Sequence, residues 1–135
     1  MSYGMSITLP LPYAEAVQRT RDALSDQGFG VLTEIDVTST LKNKLDVDME
    51  DYVILGACNP PLAHQGLSAD RSFGLLLPCN VVVRSVGARE TVVEALDPQV
   101  MAQVSDASAL RDVADQAAAK LRAALATLSD GAAAA

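Results

Sequence analysis

The chain has 135 residues, half of them hydrophobic, and its 17 acidic residues against 10 basic ones give a net charge of −7. This length predicts one domain, and the hydrophobic fraction excludes an intrinsically disordered chain. The acidic balance disfavours phosphate backbones and anionic membrane surfaces, so we expect no nucleic-acid partner and no membrane partner. Two cysteines and one histidine are too few for a four-ligand zinc site of His and Cys within one subunit.

The chain begins with a predicted strand followed by a predicted helix. Ser6–Leu9 is a short β-like run, and Pro12 suits the first turn of a helix. Apolar residues then recur at helical spacing over Tyr13–Leu24. Gly28 stands where a left-handed residue usually ends a helix.

A second strand and a short helix are predicted next. Phe29–Val37 alternates with a period of two, which is typical of a half-buried strand. Thr38 or Ser39 can cap a short helix that carries Leu41 and Leu45 one turn apart.

A compact apolar run, Tyr52–Ala57, predicts a central strand. It ends at Cys58, Asn59 and two prolines, so a turn follows. The second proline cannot lie deep inside a helix, and a short helix through His64 is predicted from there.

The next stretch predicts an interrupted strand and a hairpin. Ser72–Leu77 resumes the strand pattern, Pro78 interrupts it, and Val81–Val83 continues it. A proline within such a pattern indicates an edge or a bulge. Gly87 suits a turn into a further strand, Glu90–Leu96.

The last predicted element is a long alanine-rich helix whose apolar stripe runs from Leu110 to Leu128, with Ser105 or Ser108 as its cap. The order strand, helix, four strands, helix predicts an α+β fold: a β-α-β4-α two-layer sandwich whose antiparallel sheet is covered by helices on one face. The other face stays open, and dimerisation would cover it. We expect a single domain over residues 1–130, a disordered tail over 131–135, and a cytoplasmic protein, because no signal peptide or membrane span is visible.

Two cysteines and the single histidine are the candidate soft ligands. Cys58 ends one predicted strand, His64 follows six residues later, and Cys79 interrupts another strand. Both cysteines have Asn and Pro neighbours, Asn59 and Pro60 at one and Pro78 and Asn80 at the other. Core packing alone accounts for buried cysteines but not for the paired asparagines. The ligand-binding residues predicted from this pattern are Cys58, Asn59, Pro60, His64, Cys79 and Asn80.

Three functions remain open for this cluster. The first is a homodimeric domain that binds a small ligand, a metal ion or haem beside the two thiols. The second is a thiol enzyme, with Cys58 or Cys79 as nucleophile and His64 as base. The third is a structural or interaction module whose cysteines are core residues. The sequence specifies no cofactor and no catalytic residue.

Four segments of the chain resemble the domain of unknown function 302 family. They are Phe29–Val37, Leu41–Leu45, Tyr52–Pro60 and Leu75–Val81, and Asp97-Pro98 also fits. The Gly-Ala-Cys-Asn-Pro and Leu-Pro-Cys-Asn motifs are the most specific part of this resemblance, which extends from Ser6 to Leu128.

The resemblance implies a small α+β fold similar to TATA-binding-protein-like domains, in a unit that tends to form homodimers. It also implies that Cys58, Asn59, Pro60, Pro78 and Cys79, with Lys44, belong to the family pattern. It implies no established activity, and a fold shared with a DNA-binding saddle does not transfer that function.

Overall fold

In the computed structural model, which describes residues 3–105 and 108–133, five strands form one sheet and helices pack on it. The strands are β1 (Gly4–Leu9), β2 (Gly30–Asp36), β3 (Tyr52–Cys58), β4 (Cys79–Gly87) and β5 (Glu90–Leu96). The helices are α1 (Tyr13–Asp26), α2 (Val37–Leu45), α3 (Pro60–Ala69), α4 (Gln99–Gln103) and α5 (Ser108–Ala133), and a 3₁₀ segment covers Arg71–Leu76. None of the described helices is both long enough and apolar enough to cross a lipid bilayer.

The strand order in the sheet is β1-β5-β4-β3-β2, and every neighbouring pair is antiparallel. Leu55 of β3 lies opposite Val81 of β4, which in turn lies opposite Ala95 of β5. These three side chains face the same side of the sheet, as strand alternation requires. The predicted α+β fold with an antiparallel sheet is confirmed.

The covered face of the sheet carries the hydrophobic core. Its central residues, Leu55, Val83 and Val93, are completely buried beneath α1 and α5. A second, smaller cluster surrounds Phe73 and includes Cys79. Alternate residues point to the other side, the open face, where Ile54 and Val82 stay only half-buried. The described helices therefore leave one sheet face without a packed layer.

The segment Ser72–Leu77 is not a strand, contrary to the prediction. Asp70 accepts a hydrogen bond from the Ser72 amide at 3.0 Å and starts the 3₁₀ turn. Phe73 then fills the smaller core cluster, while Leu75 points outward and is 87% exposed. Strand β4 begins at Cys79, directly after Pro78, so the missing N–H of the proline leaves the ladder intact.

The cap of α2 also differs from the prediction. Asp36, rather than Thr38 or Ser39, is the cap residue, and its carboxylate accepts from the Ser39 amide at 2.9 Å. The Thr38 hydroxyl donates to the Glu50 carbonyl instead. Strand β2 was expected to be half-buried, but at the edge of the sheet all its residues except Val31 are exposed.

The C-terminal helix α5 begins at Ser108, one of the two predicted caps, and residues 106–107, directly before it, lie outside the described residues. The predicted tail over 131–135 overlaps this helix, which continues to Ala133 because its alanines favour helix strongly. Residues 134–135 lie outside the described part of the chain. Gly28, just after the C-terminal end of α1, has a left-handed φ of 83°, as predicted for a residue that ends a helix.

Candidate functional site

Asn59 joins the ends of two helices. Its Oδ1 accepts a hydrogen bond from the Leu62 amide at 3.3 Å, which makes it the N-cap of α3. Its Nδ2 donates to the Gln27 carbonyl at 3.4 Å, just after α1. Pro60 follows at the first helical position, where the absent N–H costs nothing. The Asn-Pro sequence after Cys58 thus serves to start α3.

The two cysteines have different environments. Cys79 is buried in the cluster around Phe73, and this burial, followed by the nearby Cys58, raises its pKa from 9.0 to about 11. Its thiol is therefore protonated and poorly nucleophilic at neutral pH. Cys58, at the end of β3, is partly exposed. Both are free thiols.

A small cavity touches both cysteines and Asn59. Its volume is about 20 Å³, and the rest of its wall is apolar, including Phe29, Phe73 and Met101. About 10–15 Å³ of such volume is needed for one water molecule. The cavity therefore has room for about one water molecule and none for haem or an organic ligand.

The described residues contain no group of three His, Cys, Asp or Glu side chains that could hold a metal ion. His64 lies exposed on α3 and does not line the cavity beside the thiols. Asn80 follows Cys79 on β4, so its side chain points to the open face instead. Of the six predicted ligand-binding residues, Cys58, Asn59 and Cys79 thus line one cavity, whereas Pro60, His64 and Asn80 do not. The two cysteines do not form a close pair, because Cys79 lies opposite Ala57 and strand alternation turns the Cys58 side chain to the other face of the sheet.

A larger depression of about 530 Å³ lies on the far side of Asn59, between Asp26 and Lys120. A helix N-terminus beside a lysine is a favourable place for an anion. Here, however, Pro60 and Pro61 remove two N–H donors from the first turn of α3, and Asp26 adds a negative charge. The depression lacks the donor set of an anion site.

The open face of the sheet holds a groove of about 280 Å³, which we call the open-face groove. Its wall includes Tyr3, Tyr52, Asn80, Val82, Glu94 and Leu96. Sequence reasoning identified only Asn80 among these residues. Strand alternation could have assigned Val82 to the same face as Asn80, two residues before it on β4, whereas the other residues come together only through the strand register.

Charges in the open-face groove are balanced. Arg84 Nε donates to Glu94 Oε1 at 3.0 Å, so the one acidic side chain of the groove has a cationic partner. The Asn80 side chain is exposed and makes no hydrogen bond within the part of the chain that the structure describes. The groove thus combines two tyrosine rings, an available amide and an apolar floor. Such a combination can bind an uncharged organic molecule.

The chain is similar over nearly all its length to a family of proteins. The family model described as "Domain of unknown function DUF302" matches residues 5–128. A solved structure described as an uncharacterized conserved protein DUF302 from Bacillus stearothermophilus is 28% identical in sequence, with a TM-score of 0.84. The similarity covers 93% of this chain and 98% of that one. No curated protein matches the chain.

The family model covers most of the chain, residues 5–128, and the family resemblance predicted from the sequence is confirmed. The chain belongs to the family Domain of unknown function DUF302.

Proposed function

We propose that this protein is a small-molecule-binding domain whose ligand lies in the open-face groove. The supporting observation is that Tyr3, Tyr52 and Asn80 meet around a hollow of about 280 Å³ on the sheet face that the described helices leave open. Ligand sites typically are apolar concavities with a few polar groups. The cavity beside Cys58 and Cys79 is too small for such a ligand.

The polar side chains of the buried core give no indication of a second ligand site inside the protein. Among the side chains that the structure describes, no buried nitrogen or oxygen lacks a hydrogen-bond partner. An unpaired polar atom in the core would have indicated a missing ligand or water. The polar groups left for a ligand are therefore at the surface, and Asn80 is one of them.

Nile red, an uncharged dye that fluoresces in apolar surroundings, is a suitable probe for the open-face groove. We expect it to bind and to shift the amide NMR signals of Tyr52, Val82 and Leu96. Val82→Lys places a long, positively charged side chain in the groove and should weaken dye binding by at least about tenfold, a loss of about 1.4 kcal/mol. Val86→Lys, on the same strand but outside the groove, is the matched control and should change the affinity less than about twofold.

Circular dichroism would verify that both variants keep the fold. Absence of dye binding to the wild-type protein, or shifts confined to residues outside the groove, would contradict the proposal.

We also propose that two copies of the chain pair through β2 and α2. Helix α2 contains no buried residue, and a nine-residue helix gains little stability without packing. Leu32, Ile35, Leu45 and Val47 are each at least 44% exposed along β2, α2 and the loop that follows. A second copy would cover these side chains.

Light scattering coupled to size-exclusion chromatography tests the pairing. The wild-type chain should elute with twice the mass of one chain, and Ile35→Glu with Leu45→Glu should convert it to monomers. Val86→Glu, at a similarly exposed position away from this surface, should leave the dimer intact. A monomeric wild-type protein, or a dimer that survives the double substitution, would refute this interface.

A further inference from the structure

A second hollow of about 280 Å³ adjoins the open-face groove. The two share Asn80 and Leu96 in their walls, and we call the two hollows together the trough. We call the second part the leucine hollow. Its wall includes Leu75, in the 3₁₀ segment, and Leu77, directly after it. It also includes Val100 and Met101 of α4 and Val104, directly after that helix.

The leucine hollow is apolar and open to solvent. Apart from the shared Asn80, the lining residues within 3–105 and 108–133 carry no polar side chain. Leu75 is 87% exposed and Val104 67% exposed, although each adjoins this hollow. Large apolar side chains grouped at the surface usually mark a place where apolar material binds.

The volumes favour one ligand that occupies both parts. Sites for organic ligands range from about 300 to 1,000 Å³, so each hollow alone falls slightly short of that range. The two adjoining hollows together lie within that range. The polar groups of the trough stand at one end and its apolar wall at the other.

The charges of the trough favour an uncharged polar group on the ligand. No lysine or arginine is among the described residues that line either hollow. The single carboxylate, that of Glu94, is already paired with Arg84. The cation beside the groove, Arg84, is thus already occupied by Glu94, and the net charge of −7 would repel a carboxylate or phosphate head.

From these observations we infer that the ligand is amphipathic, with an unbranched apolar tail in the leucine hollow and an uncharged, hydroxyl-bearing head beside Tyr3, Tyr52 and Asn80. This inference rests on the proposed function, since it names the ligand class of the same groove. The tyrosine hydroxyls and the Asn80 amide can each donate to and accept from hydroxyl groups. The tail would exclude water from Leu75 and Val104.

Three probes separate the contributions of head and tail. 1-Decanoylglycerol has both features, 1-butanoylglycerol has the same head with a short tail, and decanoate has a similar tail with an anionic head. Titrations followed by NMR, below the concentrations at which micelles form, should show 1-decanoylglycerol binding at least about tenfold more tightly than either of the others. The amide signals that 1-decanoylglycerol shifts should include those of Leu75 and Val104 as well as that of Tyr52.

Substitutions locate the tail. Leu75→Asp should reduce the affinity for 1-decanoylglycerol to about that of 1-butanoylglycerol, while Nile red still binds near Val82. Val86→Asp removes another exposed apolar side chain, one that lines neither hollow, and is the control, with both affinities unchanged.

Equal affinities for the long and short glycerides, or tighter binding of decanoate, would overturn the inference even where Nile red binds as expected. If Nile red fails to bind the groove at all, the proposed function falls together with the inference. The two failures are thus distinguishable.

Discussion

Gly56 of β3 lies opposite Thr33 of β2, and the Thr33 hydroxyl occupies the space that a Cβ atom at position 56 would need. The Pro78 ring presses on the same position, with its Cγ 2.8 Å from that Cβ position. Glycine is thus required here by close approach of three chain segments. The contact also links the edge strand β2 to the start of β4.

Gly56→Ala should destabilise the protein by about 1–3 kcal/mol, because the added methyl group overlaps Thr33 and Pro78. Urea denaturation measures this loss. Thr33→Ala removes the hydroxyl, so the double variant should be less unstable than the sum of the single ones. Gly30→Ala is the control, since no neighbouring atom lies within 4 Å of its Cβ position. If Gly30→Ala lowered the free energy of unfolding as much as Gly56→Ala, the packing argument would be contradicted.

Gly66→Ala on α3 should cost about 1–3 kcal/mol, because the new methyl group would overlap the buried Phe73 ring. Gly131→Ala on α5 has open space around it, and the higher helix propensity of alanine should make that variant as stable as the wild type or more so. Thermal unfolding compares the two. A Gly66→Ala protein of unchanged stability would show that Phe73 is not held against α3.

Thr91→Val should destabilise the fold by about 1–3 kcal/mol. The buried Thr91 hydroxyl donates to the Leu11 carbonyl at 2.9 Å and ties β5 to the segment between β1 and α1. Valine keeps the shape but leaves that carbonyl without this donor. Thr91→Ser retains the hydroxyl, so chemical denaturation should show a smaller loss for serine than for valine, and the reverse order would rule out the hydrogen bond as the cause.

Cys58 should react with iodoacetamide at least about tenfold faster than Cys79 at pH 8, because Cys79 is buried and its raised pKa keeps it protonated. Mass spectrometry of the Cys58→Ser and Cys79→Ser variants assigns each rate. Equal rates for the two thiols would mean that the cluster around Phe73 opens readily in solution.

Alkaline pH should weaken the fold through Cys79. Folding raises the pKa of this thiol from 9.0 to about 11, so the unfolded chain loses the proton first. The contribution to stability is therefore complete below pH 9 and is lost as pH rises from 9 to 11, by about 2–3 kcal/mol. Burial also raises the pKa of Tyr13, to about 12, with Asp51 as the next cause, which acts in the same direction.

Urea unfolding at pH 8, 9.5 and 10.5 measures this effect. Cys79→Val removes the ionisable group and should show a shallower decline with pH than the wild-type protein, with Tyr13 accounting for the remainder. A variant whose stability falls as steeply as that of the wild type would exclude Cys79 as the source.

Much of the fold was predictable because the period-two pattern of Phe29–Val37, the apolar run Tyr52–Ala57 and the helical stripe of α5 are local properties of the chain. The exception, Ser72–Leu77, depends on where one side chain goes. Its apolar run resembles a strand, yet Phe73 fits the space left by Gly66 and holds the segment as a 3₁₀ turn.

The site was less predictable than the fold. The Asn and Pro neighbours of the cysteines indicated chemistry, but Asn59 caps α3 and Pro78 precedes β4, so both have structural tasks. The groove combines Tyr3, Tyr52 and Leu96, which are distant in the chain and meet only once the register of the strands is known. A single sequence does not contain that register.

The strand order carries a consequence for the timing of folding. Strands β2 to β5 pair with their neighbours in the chain, whereas β1 must wait for β5, with Gly4 opposite Leu96. On a ribosome, β1 emerges first and finds its partner only after every other strand has been made, and α5 arrives later still to cover the core. The nascent chain therefore exposes its first strand and the apolar side of its sheet for most of synthesis, and this is the period in which the topology is most open to aggregation.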